Sequence, residues 1–486
     1  MVMEHINLFR NLETVVRELD ARGHDTVVLH GTRVDDEKTT RRLASKKQKM
    51  VFMGRGLEVA DGEIQSLTTG YRPVPDERRQ RRLRVGRQVV NRSLYLRKDH
   101  PSPERVVAGL DKSLPPRLRR LMESGVVRSV LRRPGVLRAW REIERSGSAS
   151  ERVMSLIREV APDVVLVSPS VWPKNPVEAD YVHAARKLGI PTIGYLNSWD
   201  NLTSKGTVHV LPDAFVVWNE ALAAEAEQIH LVPREGIRVT GAPHLDHFFD
   251  LQPSLPRTEI CRELGCPDDG PYVVYLCSSR TLIADETHIV TGLADALART
   301  HPDRPPTIVV RPHPVNPGPW EGFDRQGVVV YPHLGDQADT PDSWQEYFNQ
   351  LTEASCFVGL NTTAFLEAAV ADHPCLTIVS DEFFDQQGRT GHFRHLVEAD
   401  FLEVSRDVSE VAARIARVLE GVDERAAGRR RFAEAFLRPR GVDTPARSVV
   451  VDTIEELAGV PAAQDGRRSV VSERAAVLSS TANEDA

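Results

Sequence analysis

The stretch Asp163–Leu196 reads DVVLVSPSVWPKNPVEADYVHAARKLGIPTIGYL, and it decides the fold. Val164–Val167 is a short continuous apolar run, too short for a helix and uninterrupted by polar residues. Glu178–Leu188 repeats apolar residues at helical spacing and ends at Gly189. Pro191–Leu196 is a second apolar run. Apolar strands that alternate with amphipathic helices are the sequence form of a parallel sheet covered on both faces. Outward from there the rhythm persists. Glu151–Val160 reads as a helix, Ala214–Trp218 as a strand, Glu220–His230 as a helix, and Ile237–Thr240 as a strand ending at Gly241. Towards the start, Leu8–Ala21 reads as a helix and Thr26–Leu29 as a strand, with only Val2 and Met3 to form a leading strand before His5.

A second α/β series follows Phe248–Thr258, a segment with Pro253 and Pro256 that reads as a linker. Strands are expected at Tyr272–Cys277, Thr307–Arg311, Gly327–Tyr331, Cys356–Gly359 and Cys375–Val379. Helices are expected at Glu286–Arg299, Ser343–Leu351, Ala364–Ala371, Ser409–Leu419, Glu424–Phe436 and Ala446–Ala458. The expected organisation is a first Rossmann-like domain over 1–247, a linker over 248–258 and a second Rossmann-like domain over 259–440. A helix over 441–460 crosses back to the first domain, and a small polar tail over 461–486 is read as disordered. Two doubly wound domains of this kind leave a cleft between their strand C-terminal ends, where such folds bind ligands.

Composition narrows the class. The chain has 486 residues, 41% hydrophobic and 27% charged, which suits two globular cores and excludes a disordered or collagen-like chain. The five cysteines form no CxxC pair, so a zinc ribbon is not expected and a reducing compartment fits. No apolar run approaches the roughly 20 residues of a spanning helix. The opening MVMEHINLFRNLE has neither a basic region nor an apolar core, so no signal peptide is expected. The net charge of −7 hides an asymmetry: Arg72–Arg145 holds 21 Lys+Arg against 8 Asp+Glu. That segment, about 76–145, reads as an Arg-rich helical insert. It suggests an anionic partner, although solvated surface arginines give the same composition. With only Tyr95 and Trp140 inside it, it lacks the aromatic interleaving of single-strand binders, so nucleic acid is not expected.

Four clusters fall at strand ends. Gly359–Glu367 reads strand, polar turn, helix, with Thr362 or Thr363 near the N-cap. A helix N-terminus suits a diphosphate, and Glu367 one turn on suits ribose hydroxyls; Asn and Thr also cap helices without any ligand. Arg311-Pro312-His313-Pro314 stiffens a loop and presents Arg311 and His313, and Arg forks onto phosphate. Ser278-Ser279-Arg280 occupies the corresponding place one unit earlier, with Ser279 and Arg280 suited to phosphate or base recognition. In the first domain, Asn197–Gly206 gathers Trp199, Asp200, Asn201 and Lys205 in one strand-end loop. Asp200 is a candidate base there, and a loop locked by Asp side-chain bonds is the plainer alternative.

The runs LNSWDNLTSKG, VVWNEALAAEA, VTGAPHLDHFF, VVRPHP and VGLNTTAFLEAAVADHPCLTI resemble a family of bacterial glycosyltransferase-like proteins of the GT-B fold. These are more distantly similar to CDP-glycerol glycerophosphotransferases and UDP-GlcNAc 2-epimerases. The resemblance covers roughly 5–440. It implies two doubly wound domains facing across a cleft, with a nucleotide-activated sugar held in the second. Arg280, Arg311 and His313 would then contact the phosphates. Asn361, Thr362 and Thr363 would cradle the diphosphate, with Glu367 on the ribose. His5 would match the histidine in the first strand–helix loop of inverting enzymes. Eight residues after Glu367 stands Cys375, so the Glu pair of retaining GT-B enzymes is missing.

The reading that follows is an inverting glycosyltransferase moving a sugar from a nucleotide-sugar to a cell-envelope polysaccharide or glycolipid. His5 or Asp200 acts as base, and no metal and no cofactor beyond the donor substrate are expected, since no DxD-like motif sits at a strand end. A CDP-polyol phosphotransferase and a non-catalytic nucleotide-binding protein are the alternatives. The expected location is cytoplasmic, with the basic insert attaching the protein peripherally to the anionic inner face of the plasma membrane, near a lipid-linked acceptor.

Overall fold

The computed structural model describes residues 1–31, 64–73, 78–97, 100–101, 103–168, 170–171, 177–332, 338 and 340–460. The tail over 461–486, read above as disordered, lies outside them. The chain divides into one unit formed by Met1–His244 with the chain from Phe436 on, and a second formed by Leu245–Ala435.

Among the described residues the first unit carries seven strands. They are β1 (Val2–Met3), β2 (Thr26–His30), β3 (Leu67–Tyr71), β4 (Val165–Ser168), β5 (Thr192–Tyr195), β6 (Ala214–Val217) and β7 (Ile237–Val239). They lie in the order β3-β2-β1-β4-β5-β6-β7, every pair parallel. The leading strand exists and is only two residues long. Val2 pairs with Leu29 on one side and Val167 on the other, so β1 is central. Residues Ile6–Asn11 then form a 3-10 turn before the helix Glu13–Ala21, where one continuous helix was expected. Ile6, Phe9, Leu12, Val15, Val16 and Leu19 all point into the core, together with Val450 and Val451 of the helix Ala446–Ala458. At about 1.5–3 kcal/mol per fully buried aliphatic side chain, this interface is a principal source of the unit's stability. Arg22 completes it with ion pairs to Asp452 at 2.7 Å and Glu455 at 2.9 Å.

The path back from the second unit is tied down at Gly241. With φ +101, a Cβ there would lie 2.6 Å from the Leu437 carbonyl oxygen, so only glycine permits the approach. Ala242 N–H donates to that same oxygen, and the Asn219 amide donates to Phe436 O.

Between β3 and β4 the Arg-rich segment folds as the helices Arg78–Leu94, Glu104–Ser113, Pro116–Glu123, Gly125–Leu131 and Pro134–Ser146. Part of its charge is spent internally. Arg87, with 0% of its surface exposed, forms a double fork onto Glu144 and Asp180 at 2.6–3.0 Å. Arg92 pairs with Asp111, and the Arg141 guanidinium donates to the carbonyls of Val208, Leu231 and His230. These arginines answer the unpaired carbonyls and buried carboxylates of the sheet's covering layer.

The second unit has six strands among the described residues: β8 (Tyr272–Leu276), β9 (Thr307–Arg311), β10 (Val328–Val330), β11 (Cys356–Gly359), β12 (Cys375–Ile378) and β13 (Leu402–Ser405). Their order is β10-β9-β8-β11-β12-β13, again all parallel. On one face the helices Thr287–Thr300 and Val408–Leu419 pack Leu293, Leu297, Val411 and Ile415 onto Tyr275, Ile308 and Val358. The span 248–258, expected as linker, begins inside the short helix Asp246–Asp250 and ends inside the helix Arg257–Leu264. All five cysteines are buried thiols.

Candidate functional site

The order of the second sheet fixes where a ligand can be held. The chain runs outward through β8, β9 and β10, then returns to β11 beside β8. At such a reversal the loops leaving two adjacent strands diverge, and the crevice at their carboxyl ends is where open α/β sheets bind ligands. Here those loops are Cys277–Arg280 after β8 and Leu360–Thr363 after β11.

They are joined. Asn361 N–H donates to Ser278 Oγ at 3.4 Å, and the Asn361 amide donates to Gln386 O at 2.5 Å. Ser278 in turn donates its N–H to Glu286 Oε2 at 2.8 Å and its hydroxyl to Glu286 Oε1 at 3.0 Å. The Tyr275 hydroxyl also donates to Glu286 Oε1. Burial pushes the Glu286 carboxyl up to about 7, because desolvation outweighs the three donors that favour its charged form. Glu286 therefore anchors the β8 loop from below. Gln387 closes the other side, donating to the carbonyls of Leu360 and Ile378.

Around these two loops the expected residues take distinct positions. Ser279 is half-buried, its hydroxyl 2.9 Å from Thr281 Oγ1, and Arg280 is exposed. Asn361 and Thr362 are buried, whereas Thr363 is exposed at the start of the helix Ala364–Val370. Thr362 Oγ1 accepts from Ala364 N–H at 3.3 Å, so this hydroxyl serves as a local cap. His313 Nδ1 accepts from Val315 N–H at 3.2 Å, which leaves Nε2 as the donor of the neutral ring.

Arg311 and Glu367 are brought together through a residue the sequence reading passed over. The Arg311 guanidinium lies 3.9 Å from the centre of the Tyr347 ring, and the Tyr347 hydroxyl donates to Glu367 Oε2 at 2.8 Å. Arg311 also donates to Gln350 Oε1 at 3.0 Å. Gln350 and Tyr331 both donate to Glu346 Oε1, at 3.2 and 2.6 Å. Burial and the Glu367 charge hold the Tyr347 phenol far above its ordinary range, so it remains a donor. The chain Arg311–Tyr347–Glu367 thus fixes a cation and a carboxylate at the carboxyl ends of β9 and β11. Tyr347 sits on the helix Pro341–Thr352, and the only signal of its role is a tyrosine two turns into the helix that precedes the Asn-Thr-Thr loop.

In the first unit, His5 follows β1 and Asp200 follows β5, on strands separated by β4. His5 is exposed. Asp200 is held by its neighbours: Ser204 Oγ donates to Oδ2 at 2.6 Å, Asn201 Nδ2 to Oδ1 at 3.0 Å, and Lys205 Nζ lies 3.6 Å away. These contacts match the plainer alternative of a locked loop. Trp199 is buried and meets the Phe436 ring edge-on. A second cluster at this strand edge escaped sequence reading. Arg72, after β3, pairs with Glu4, after β1, and lies 3.6 Å from Glu178 at the start of the helix after β4. Burial pushes Glu178 up to about 8 against the pull of Arg72. Buried, perturbed carboxyls at a sheet's carboxyl edge are candidates for function.

No family model matches the sequence, and no curated protein matches it. Solved structures do. The UDP-GlcNAc 2-epimerase of Methanocaldococcus jannaschii is 11% identical, with a TM-score of 0.50 over 94% of this chain and 98% of its own. A Listeria monocytogenes protein assigned as a UDP-N-acetylglucosamine 2-epimerase is 12% identical, with a TM-score of 0.51 over 96% and 99%. A further UDP-N-acetylglucosamine 2-epimerase is 12% identical, with a TM-score of 0.50 over 96% and 98%. At this identity the likeness speaks to architecture, and the chain has the GT-B-like α/β fold of two Rossmann-like units.

Proposed function

We propose that this protein is a nucleotide-sugar enzyme whose second unit holds the nucleoside diphosphate, and that it transfers the sugar to a cell-envelope polysaccharide or glycolipid. The observation that carries the reading is the linked pair of loops at the strand reversal of the second sheet, flanked by the Arg311–Tyr347–Glu367 chain. Arg280 and Arg311 supply positive charge, and His313 Nε2–H a further donor, for phosphate oxygens. Ser279, Asn361, Thr362 and Thr363 supply hydroxyl and amide groups around the diphosphate. Glu367, oriented by Tyr347, accepts hydrogen bonds from the ribose hydroxyls. Departure of the diphosphate is assisted by the same cations that bind it. In this reading His5 takes the proton of the acceptor hydroxyl. Asp200, already engaged with Ser204 and Asn201, orients the Trp199–Lys205 loop rather than acting as base.

A second reading is epimerisation of the sugar while it remains a nucleotide-sugar, favoured by the recurrence of UDP-GlcNAc 2-epimerases among the structural likenesses. Proton NMR of the chain incubated with UDP-GlcNAc, with and without a lipid-extract acceptor, separates the two. Free UDP that appears only with acceptor supports transfer. Conversion at C2 without acceptor supports epimerisation. Binding of no nucleotide-sugar at all overturns both.

A further inference from the structure

Several arginines of the helical segment have partners within the fold. Arg87, Arg92 and Arg141 are spent on internal partners. The span Pro116–Arg138 differs: it holds seven arginines, at 117, 119, 120, 128, 132, 133 and 138, against the single acid Glu123. All seven are exposed, and none makes an ion pair or side-chain hydrogen bond among the described residues.

The same tip leaves large apolar side chains in water. Leu121 is 54% exposed, Val126 76% and Val130 51%. Leu121 and Val126 flank the Ser124–Gly125 junction of two consecutive helices. Val130 follows Val126 by one turn and shares its face. Leu121, Val126 and Val130 thus stand together among unpaired arginines on one helical tip. Apolar side chains set among unpaired arginines fit an interface with an apolar interior and an anionic rim, where the guanidinium groups reach the headgroup level along their aliphatic stems. No helix among the described residues is long and apolar enough to cross a membrane.

We infer that the helical tip Pro116–Arg138 docks onto an anionic lipid bilayer, with Leu121, Val126 and Val130 entering the acyl boundary and the seven arginines engaging lipid phosphates. This inference is independent of which nucleotide-sugar the second unit takes.

The test is flotation of the full chain with phosphatidylcholine vesicles and with vesicles that also contain phosphatidylglycerol, together with Val126→Trp as an emission probe. The expected result is flotation with the anionic vesicles only, and a blue shift of the added indole emission on those vesicles only. Leu121→Ser/Val126→Ser/Val130→Ser should weaken partition about tenfold or more. Arg117→Gln/Arg119→Gln/Arg120→Gln should weaken it by about fivefold per charge at low salt. All of these positions are exposed, so melting temperatures matching the parent are expected and check that the variants fold. No flotation with anionic vesicles at low salt overturns the inference, as does retention on RNA without flotation. Flotation undiminished in the serine variant, with no emission shift in the Val126→Trp variant, places the contact elsewhere and also overturns it.

Discussion

The Tyr347 hydroxyl donates to Glu367 Oε2 at 2.8 Å while the Arg311 guanidinium rests on the face of the same ring, 3.9 Å from its centre. One aromatic side chain therefore sets the positions of both charges assigned to the nucleotide. Tyr347→Phe keeps the ring and the stacked guanidinium and removes only the bond to the carboxylate. Hydrogen bonds to charged groups contribute about 1.5–3 kcal/mol to folding, so the melting temperature should fall, and nucleotide-sugar affinity should fall with it once Glu367 loses its orienting donor. Titration calorimetry and thermal melting on the same preparation check the pair. Unchanged affinity would show that Glu367 does not need this orientation.

Glu286 predicts a pH signature. Its carboxyl titrates near 7 in the folded chain against 4.5 for the unfolded one. Between those values the folded state binds the extra proton, so stability is fully present below about pH 4.5 and declines as pH rises to about 7. The loss is on the order of 3 kcal/mol at about 1.4 kcal/mol per unit. Glu286→Gln keeps an acceptor for Ser278 and abolishes the titration. Melting temperatures of parent and variant, compared from acid to neutral pH, should shift progressively in the variant's favour. A difference that stays flat with pH would refute the assignment.

Arg87 joins Glu144 and Asp180 in a buried triad. Arg87→Met leaves two carboxylates without their cation, which costs about 3–5 kcal/mol. Arg87→Lys should fall between the two, because a single ammonium cannot fork onto both partners. Denaturant titration followed by tryptophan fluorescence reads this through Trp140, Trp199 and Trp218 in the first unit. A parent-like midpoint for Arg87→Met would show that the triad contributes nothing net.

How much of this was legible in the sequence depended on burial. The central strands YVVYL and TIVVR are covered on both faces, so they read as continuous apolar runs. Of the four edge strands among the described residues, Leu67–Tyr71 and Leu402–Ser405 carry Thr68, Thr69 and Glu403 and were too polar to read, whereas Ile237–Val239 and Val328–Val330, rich in β-branched residues, were read. The Asn-Thr-Thr and Ser-Ser-Arg loops were legible because strand ends are where polar residues cluster. Glu286 and Tyr347 were not. They act across 8 and 20 residues of chain, on Ser278 and Glu367, and only the folded sheet closes those distances. The charge excess of 76–145 was visible in the sequence, but its division into internal and exposed arginines needed the carboxylates of Glu144 and Asp180 to be placed.

The central claim is that the loops after β8 and β11 hold a nucleotide-activated sugar. Calorimetric titration of the full chain with UDP-, GDP-, CDP- and dTDP-linked sugars, repeated with Glu367→Ala, tests it most directly. The account predicts saturable binding to one nucleotide class, lost in the variant, which still folds and melts at a modestly lower temperature because the buried Tyr347 hydroxyl loses its acceptor. Equal binding by parent and variant, or heat from none of the four, would contradict it.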